Sequence, residues 1–145
     1  MADKDDEQKD NKPVDISDFF TKDRQENGAW YEPVINEKGI GIKMKIVGSD
    51  SEHGVKAFKK YNEDLAVISK MTDEVKMSES IRKSLASCAA SLTVDIQGAD
   101  GRKMLEGGKE CVYSNEKAYK LFYNSPLLAN VVTEFSKNDV NYMNI

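Results

Sequence analysis

Ile40-Gly41-Ile42-Lys43-Met44-Lys45-Ile46-Val47-Gly48-Ser49-Asp50-Ser51-Glu52 is the stretch on which the fold turns. Its first half alternates. Ile40, Ile42, Met44 and Ile46 fall on one face, and Gly41, Lys43 and Lys45 on the other. A period of two is the pattern of a half-buried strand. Gly48 ends that strand, and helix-start signals follow at once. Ser49 with Glu52 matches a capping box, and Ser51 competes with it as N-cap. One short segment therefore predicts a strand that turns directly into a helix.

Upstream, Ala29 to Ile35 is a second apolar run, joined to the first by Asn36-Glu37-Lys38-Gly39. A short connector containing Gly makes the pair a hairpin over 29–47. Pro33 has no N–H to give to a ladder, so it belongs at a sheet edge or a bulge. Thr21 to Gly28 is polar and reads as loop. Val14-Asp15-Ile16-Ser17-Asp18-Phe19-Phe20 is a short amphipathic segment, either a docked helical turn or a contact for a partner. Residues 1–13 form a charged leader with almost no apolar side chain. Such a segment buries too little surface to offset its ordering entropy, and the expectation is disorder.

Downstream, the apolar period changes to three and four. Val55, Phe58, Tyr61, Leu65 and Ile68 make one stripe of a helix over about 51–70. Thr72 or Ser78 opens the next, over about 74–96, with Ile81, Leu85, Cys88, Leu92 and Ile96 as its stripe. Ala86, Ala89 and Ala90 beside that stripe permit close helix packing. Val94-Asp95-Ile96 reads as the frayed helix end or as a brief extended piece. Gln97 to Glu110 holds four glycines and reads as loop, with an extended piece near Lys103-Met104-Leu105. Ser114 caps a helix over 115–123. Ser125 with Pro126 at the first helical position starts another over 126–137. Its stripe is Leu127, Leu128, Val131, Val132 and Phe135. Residues 14–145 thus read as a single α+β domain, mainly α-helical: an N-terminal β-hairpin followed by about four helices.

The composition excludes several function classes. Charged residues make up 32% of the 145 and the net charge is −4, with a sequence pI near 5.1. Basic residues are interleaved with acids, and no basic stripe of the kind that displaces counterions from phosphates is present. Nucleic acid is not an expected partner. No apolar run approaches the roughly 20 residues that span a bilayer. The acidic N-terminus carries no apolar signal segment, so the expected compartment is the cytosol. The chain has one histidine, His53, and two cysteines, Cys88 and Cys111. That set provides no nucleophilic triad and no four-ligand zinc site. His53 reads as a solvated first-turn residue, and Cys88 as a small buried hydrophobe on its helical stripe. Cys111 reads the same way. The glycines match neither a P-loop nor a dinucleotide fingerprint. The expectation is a non-enzymatic protein with no cofactor and no metal.

One ordered pattern goes further. The strand leads through Ile46-Val47-Gly48-Ser49-Asp50-Ser51 into an aromatic-striped helix. Much later come Tyr113-Ser114-Asn115-Glu116-Lys117-Ala118-Tyr119-Lys120-Leu121-Phe122, then Ser125-Pro126, then Val131-Val132-Thr133-Glu134-Phe135-Ser136-Lys137-Asn138, and finally Asn141-Tyr142. Over residues 28–145 this order resembles the tail assembly chaperones of long-tailed, siphovirus-type bacteriophages. The resemblance implies a chaperone of the long helical tape-measure protein that also recruits tail-tube protein. It implies action in the host bacterial cytoplasm and absence from the finished virion. Many members are also made as a longer frameshifted product. Two other readings stand beside it: a structural virion protein (head–tail connector or tube-associated subunit), and a small host-directed binding protein.

A docking protein needs apolar contact residues on a soluble body. Tyr119, Phe122, Tyr123, Phe135 and Tyr142 are the candidates. Two short helices cannot turn all five inward, and Tyr119, Tyr123 and Tyr142 are the ones expected at the surface. The alternative is ordinary core or rim packing, which suits Phe122 and Phe135 best. The edge strand with Pro33 and the apolar C-terminal helices also predict weak self-association.

Overall fold

The computed structural model describes residues 12–144. The leader expected to be disordered lies, from 1 to 11, outside the described residues; Lys12 and Pro13 are exposed. The predicted hairpin forms. β1 (Ala29–Tyr31) pairs antiparallel with β4 (Ile42–Ile46), Tyr31 opposite Met44 and Ala29 opposite Ile46. Between them a smaller hairpin of β2 (Val34–Ile35) and β3 (Lys38–Gly39) turns through Asn36 and Glu37, both at positive φ. Pro33 sits at the break between edge strand β1 and this arm, where no ladder N–H is needed.

α1 (Lys22–Asn27) lies within the stretch read as loop. Its sequence has no apolar stripe. It is held instead by polar contacts of Gln25, described below, which a periodicity argument does not see. α2 (Glu52–Ile68) begins at Ser51, whose hydroxyl accepts from the Gly54 N–H at 2.9 Å. α3 (Glu74–Leu92) is capped by Asp73, whose carboxylate accepts from Val75 N–H and Lys76 N–H. α4 (Asn115–Asn124) and α5 (Pro126–Lys137) start at Ser114 and Ser125, the caps the sequence marked.

The helix expected over 74–96 is shorter. It stops at Leu92, and residues 93–98 form β5 (Thr93–Gly98), a third strand on the far side of β4. Thr93, Val94 and Ile96 are β-branched and fit a pleated sheet. Their alternative to helix is a ready ladder: Met44 faces Ile96 and Lys43 faces Gln97 across β4 and β5. The loop of 97–110 also contains a two-residue hairpin, β6 (Leu105–Glu106) with β7 (Lys109–Glu110), turning on Gly107 and Gly108 at positive φ.

α3 is the central helix and packs against α2, α4 and α5. Ala86, Ala89 and Ala90 on it are at most 3% exposed. With nothing beyond Cβ, they bring the neighbouring helix axes close. Met44 and Ile46 from β4, with Val47 just beyond it, meet Leu92, Phe122, Ala129 and Val132 in the same buried cluster. Burial also corrects the α2 stripe. Val55 is exposed, while Gly54 and Ala57 turn inward beside Phe58 and Tyr61.

The junction from β4 to α2 is met by α1 on one side and by the ends of α3 and α5 and the terminal 3-10 turn on the other. Tyr142 Oη donates to the Ile46 carbonyl at 3.1 Å. Val47 N–H donates to the Leu92 carbonyl at 2.9 Å, and the Val47 carbonyl accepts from Ser136 Oγ at 2.8 Å. Gly48 N–H donates to the Gln25 carbonyl, and Ser49 N–H to the Ser136 carbonyl, each at 2.9 Å. Asp50 N–H donates to Gln25 Oε1 at 2.9 Å, and Gln25 Nε2 to Asp139. Among the described residues no buried side-chain nitrogen or oxygen lacks a partner.

A side chain at Gly54 would place Cβ 2.0 Å from the Gly48 carbonyl oxygen. Backbone cannot yield as a flexible side chain can. Gly54→Ala should therefore destabilise the fold by roughly 1–3 kcal/mol despite alanine's better helix propensity. Urea unfolding followed by circular dichroism measures this, and an unchanged or raised midpoint would contradict the close approach.

Candidate protein-docking site

The five aromatic candidates do not form one surface. Phe122 is 1% exposed and packs in the core below α4. Tyr142, expected at the surface, is also 1% exposed. The correction has a clear cause. The short 3-10 turn Asp139–Tyr142 folds the C-terminus back over the sheet, and the phenol finds the Ile46 carbonyl. A buried tyrosine whose hydroxyl is paired is a stable core residue. Burial pushes its ionisation well above the ordinary phenol range.

Tyr119 and Tyr123 lie one turn apart on α4, stacked at 6.1 Å between ring centroids. Both are half-buried. Tyr123 Oη donates to the Glu79 carboxylate on α3, and the Arg82 guanidinium lies 5.5 Å from the centre of its ring. These contacts tie Tyr123 to the α3–α4 packing, and hydrogen bonding to Glu79 raises its ionisation.

Phe135 is placed differently. It stacks on Tyr31 of β1 at 4.5 Å and 21°, and meets Tyr142 edge-on at 5.8 Å. The pair forms one end of an apolar groove of about 430 Å³ along α5. Leu127 and Val131 continue the floor at four-residue steps, and Asn130, Glu134 and Asn138 form the rim. Leu127 is 57% exposed although it is a large apolar residue. The inward side of α5 is a separate stripe of Leu128, Ala129, Val132 and Ser136, all buried. The single stripe expected from the sequence is thus two. The missed signal was width: five apolar residues in nine positions cover a wider arc than one buried face requires. Tyr31 carried no signal by itself, because only the β1–β4 pairing brings it to α5.

A second concavity lies between the β6–β7 hairpin and α4. Leu105, Cys111 and Leu121 line about 230 Å³ of it. Lys117 and Lys120 at its rim both pair with the Glu106 carboxylate. Their hydrogen bonds hold that carboxyl down at about 2, so it is ionised throughout the ordinary pH range.

His53 is exposed at the start of α2. Among the described residues no group of three His, Cys, Asp or Glu side chains is placed to hold a metal ion, and no helix is long and apolar enough to cross a membrane. What the surface offers is two apolar concavities with polar rims. In comparison with known proteins, no family model, no curated protein and no solved structure matches the chain.

Cys88 is 4% exposed, and burial pushes its thiol from 9.0 up to about 11. A neutral buried thiol is inert. Native protein at pH 8 should therefore alkylate at Cys111, with Cys88 reacting only after unfolding, as peptide mass spectrometry would show. The unfolded thiol releases its proton first, so this contribution is full below pH 9.0 and is lost as pH rises towards about 11. Native labelling of Cys88 at the rate of Cys111 would refute the assignment.

Proposed function

We propose that this chain is a tail assembly chaperone of a long-tailed bacteriophage, working by protein contact and without catalysis. Its main partner on this reading is the tape-measure protein, and it also recruits tail-tube protein. It acts in the host bacterial cytoplasm and leaves before the particle is complete. The ordered pattern over residues 28–145 supports the family, and the α5 groove supports the mode of action.

The groove is the single observation that carries the mode. Leu127, Val131 and Phe135 recur every four residues along a partly exposed helical face, with Tyr31 as a wall. A floor with that spacing suits an amphipathic helix, which presents its own apolar anchors at three- and four-residue steps. A long, mostly helical, aggregation-prone rod is such a partner. The rim asparagines match the polar edge of a transient interface.

Co-expression is the test. The chain should keep its tape-measure protein soluble and co-purify with it. Leu127→Asp puts a charge on the groove floor at an exposed position, so it should leave the thermal midpoint nearly unchanged while weakening binding roughly tenfold or more. Loss of neither solubility nor co-purification in that variant would remove the groove from the account. No rescue by the wild-type chain would remove the chaperone reading itself. Mass spectrometry of purified virions should find the chain missing. A band at particle stoichiometry would make it a structural subunit instead.

A further inference from the structure

Four large apolar side chains crowd into seven residues near the N-terminus. Val14, Ile16, Phe19 and Phe20 are 50–74% exposed. A loose tail would explain that exposure trivially, but this segment is held in place. Asp15 caps a 3-10 turn over Ile16–Phe19 by accepting from Ser17 N–H and Ser17 Oγ. The Asp18 carbonyl accepts from Asn144 N–H at 2.8 Å and from the Arg24 guanidinium. Asn144 Nδ2 also donates to the Asp18 carboxylate at 3.1 Å. The backbone is thus pinned to the C-terminus while the apolar side chains face outward. A pinned apolar prong costs less ordering entropy on binding than a disordered one.

The prong is flanked by Asp15 and Asp18, and Asp23 follows on α1. A matching socket needs an apolar floor and a positive rim. The concavity between the β6–β7 hairpin and α4 has both. Leu105, Cys111 and Leu121 line it, its volume of about 230 Å³ has room for a phenyl ring, and two ammonium groups share one carboxylate at its edge. No residue of 12–20 lines it, so within one chain prong and socket stay apart.

We infer that the prong around Phe19 and Phe20 docks into the Leu105–Leu121 socket of a second copy of this chain, with Asp15 and Asp18 facing Lys117 and Lys120. The contact joins two different patches, so it is heterologous. Each bound copy keeps a free prong at one end and a free socket at the other, and assembly continues head to tail until it closes into a ring or is capped. The charged rim makes association weaken with added salt. This surface is separate from the α5 groove, and its failure leaves the tape-measure reading untouched.

The test uses two variants of the full chain. Phe19→Ser/Phe20→Ser destroys the prong and keeps the socket. Lys117→Glu/Lys120→Glu does the reverse. All four positions are exposed, and circular dichroism checks each fold. Sedimentation velocity of the wild type should show mass rising with concentration beyond a dimer. Each variant alone should associate roughly tenfold or more weakly. An equal mixture should form a one-to-one dimer that grows no further, because one working prong meets one working socket. Should the charge reversal disturb the fold, Lys117→Ala/Lys120→Ala replaces it. A labelled peptide of residues 12–21 then provides a second readout by fluorescence anisotropy, binding the wild type and the prong variant but not the socket variant. A wild type that stays at one chain mass at every concentration, a variant that associates like the wild type, a mixture without the dimer, or a peptide that ignores the socket lysines each overturns the inference.

Discussion

The backbone between Ile46 and Ser51 leaves the sheet, turns, and enters α2 with Ile46, Val47, Gly48 and Ser51 buried, and past the end of β4 no ladder satisfies its polar groups. A buried amide or carbonyl without a partner costs on the order of 1–3 kcal/mol, and this segment contains several in succession. The Gly48 carbonyl accepts from Ser51 three residues on, and the others find partners far away in sequence. Gln25 supplies one side of α1, Leu92 the end of α3, Ser136 the last turn of α5, and Tyr142 the C-terminus. The short α1 buries only Gln25, and the terminal 3-10 turn only Tyr142. They are kept because the junction needs their donors and acceptors, and Gln25, 3% exposed, also ties them to each other through Asp139.

That requirement decides which aromatic residues remain outside. Tyr142 is drawn inward by the Ile46 carbonyl, and Phe135 follows until it meets Tyr31. The C-terminal turn then covers one end of α5 and leaves the rest of its outer face open. Leu127 therefore stays uncovered and Val131 only half-covered beside a stacked aromatic pair. The α5 groove is in this sense a by-product of satisfying β4: the groove wall and the core plug come from the same closure of the chain.

The other open apolar features have a different origin. The prong at 14–20 hangs from the C-terminus through Asp18 and Asn144, so it too depends on where the junction places the chain end. The socket beside Glu106 is independent, being made by a glycine-turned hairpin laid against α4. Among the described residues these three apolar features stand on a body rich in charge.

The α+β, mainly helical class, the β1–β4 hairpin and the four long helices were legible from local pattern. Period two over 40–46, periods three and four afterwards, and the serine caps at 51, 114 and 125 are properties of neighbours in sequence. What local pattern did not contain was long-range partnership. Thr93 to Gly98 reads as helix end until β4 offers it a ladder. Lys22 to Asn27 reads as loop until Gly48 and Asp50 call on Gln25. Tyr142 reads as an exposed tail residue until its hydroxyl meets a carbonyl 96 positions away. Periodicity reports which faces are apolar. Only the folded chain decides which of those faces is covered, because covering one depends on hydrogen bonds between groups that the sequence keeps far apart.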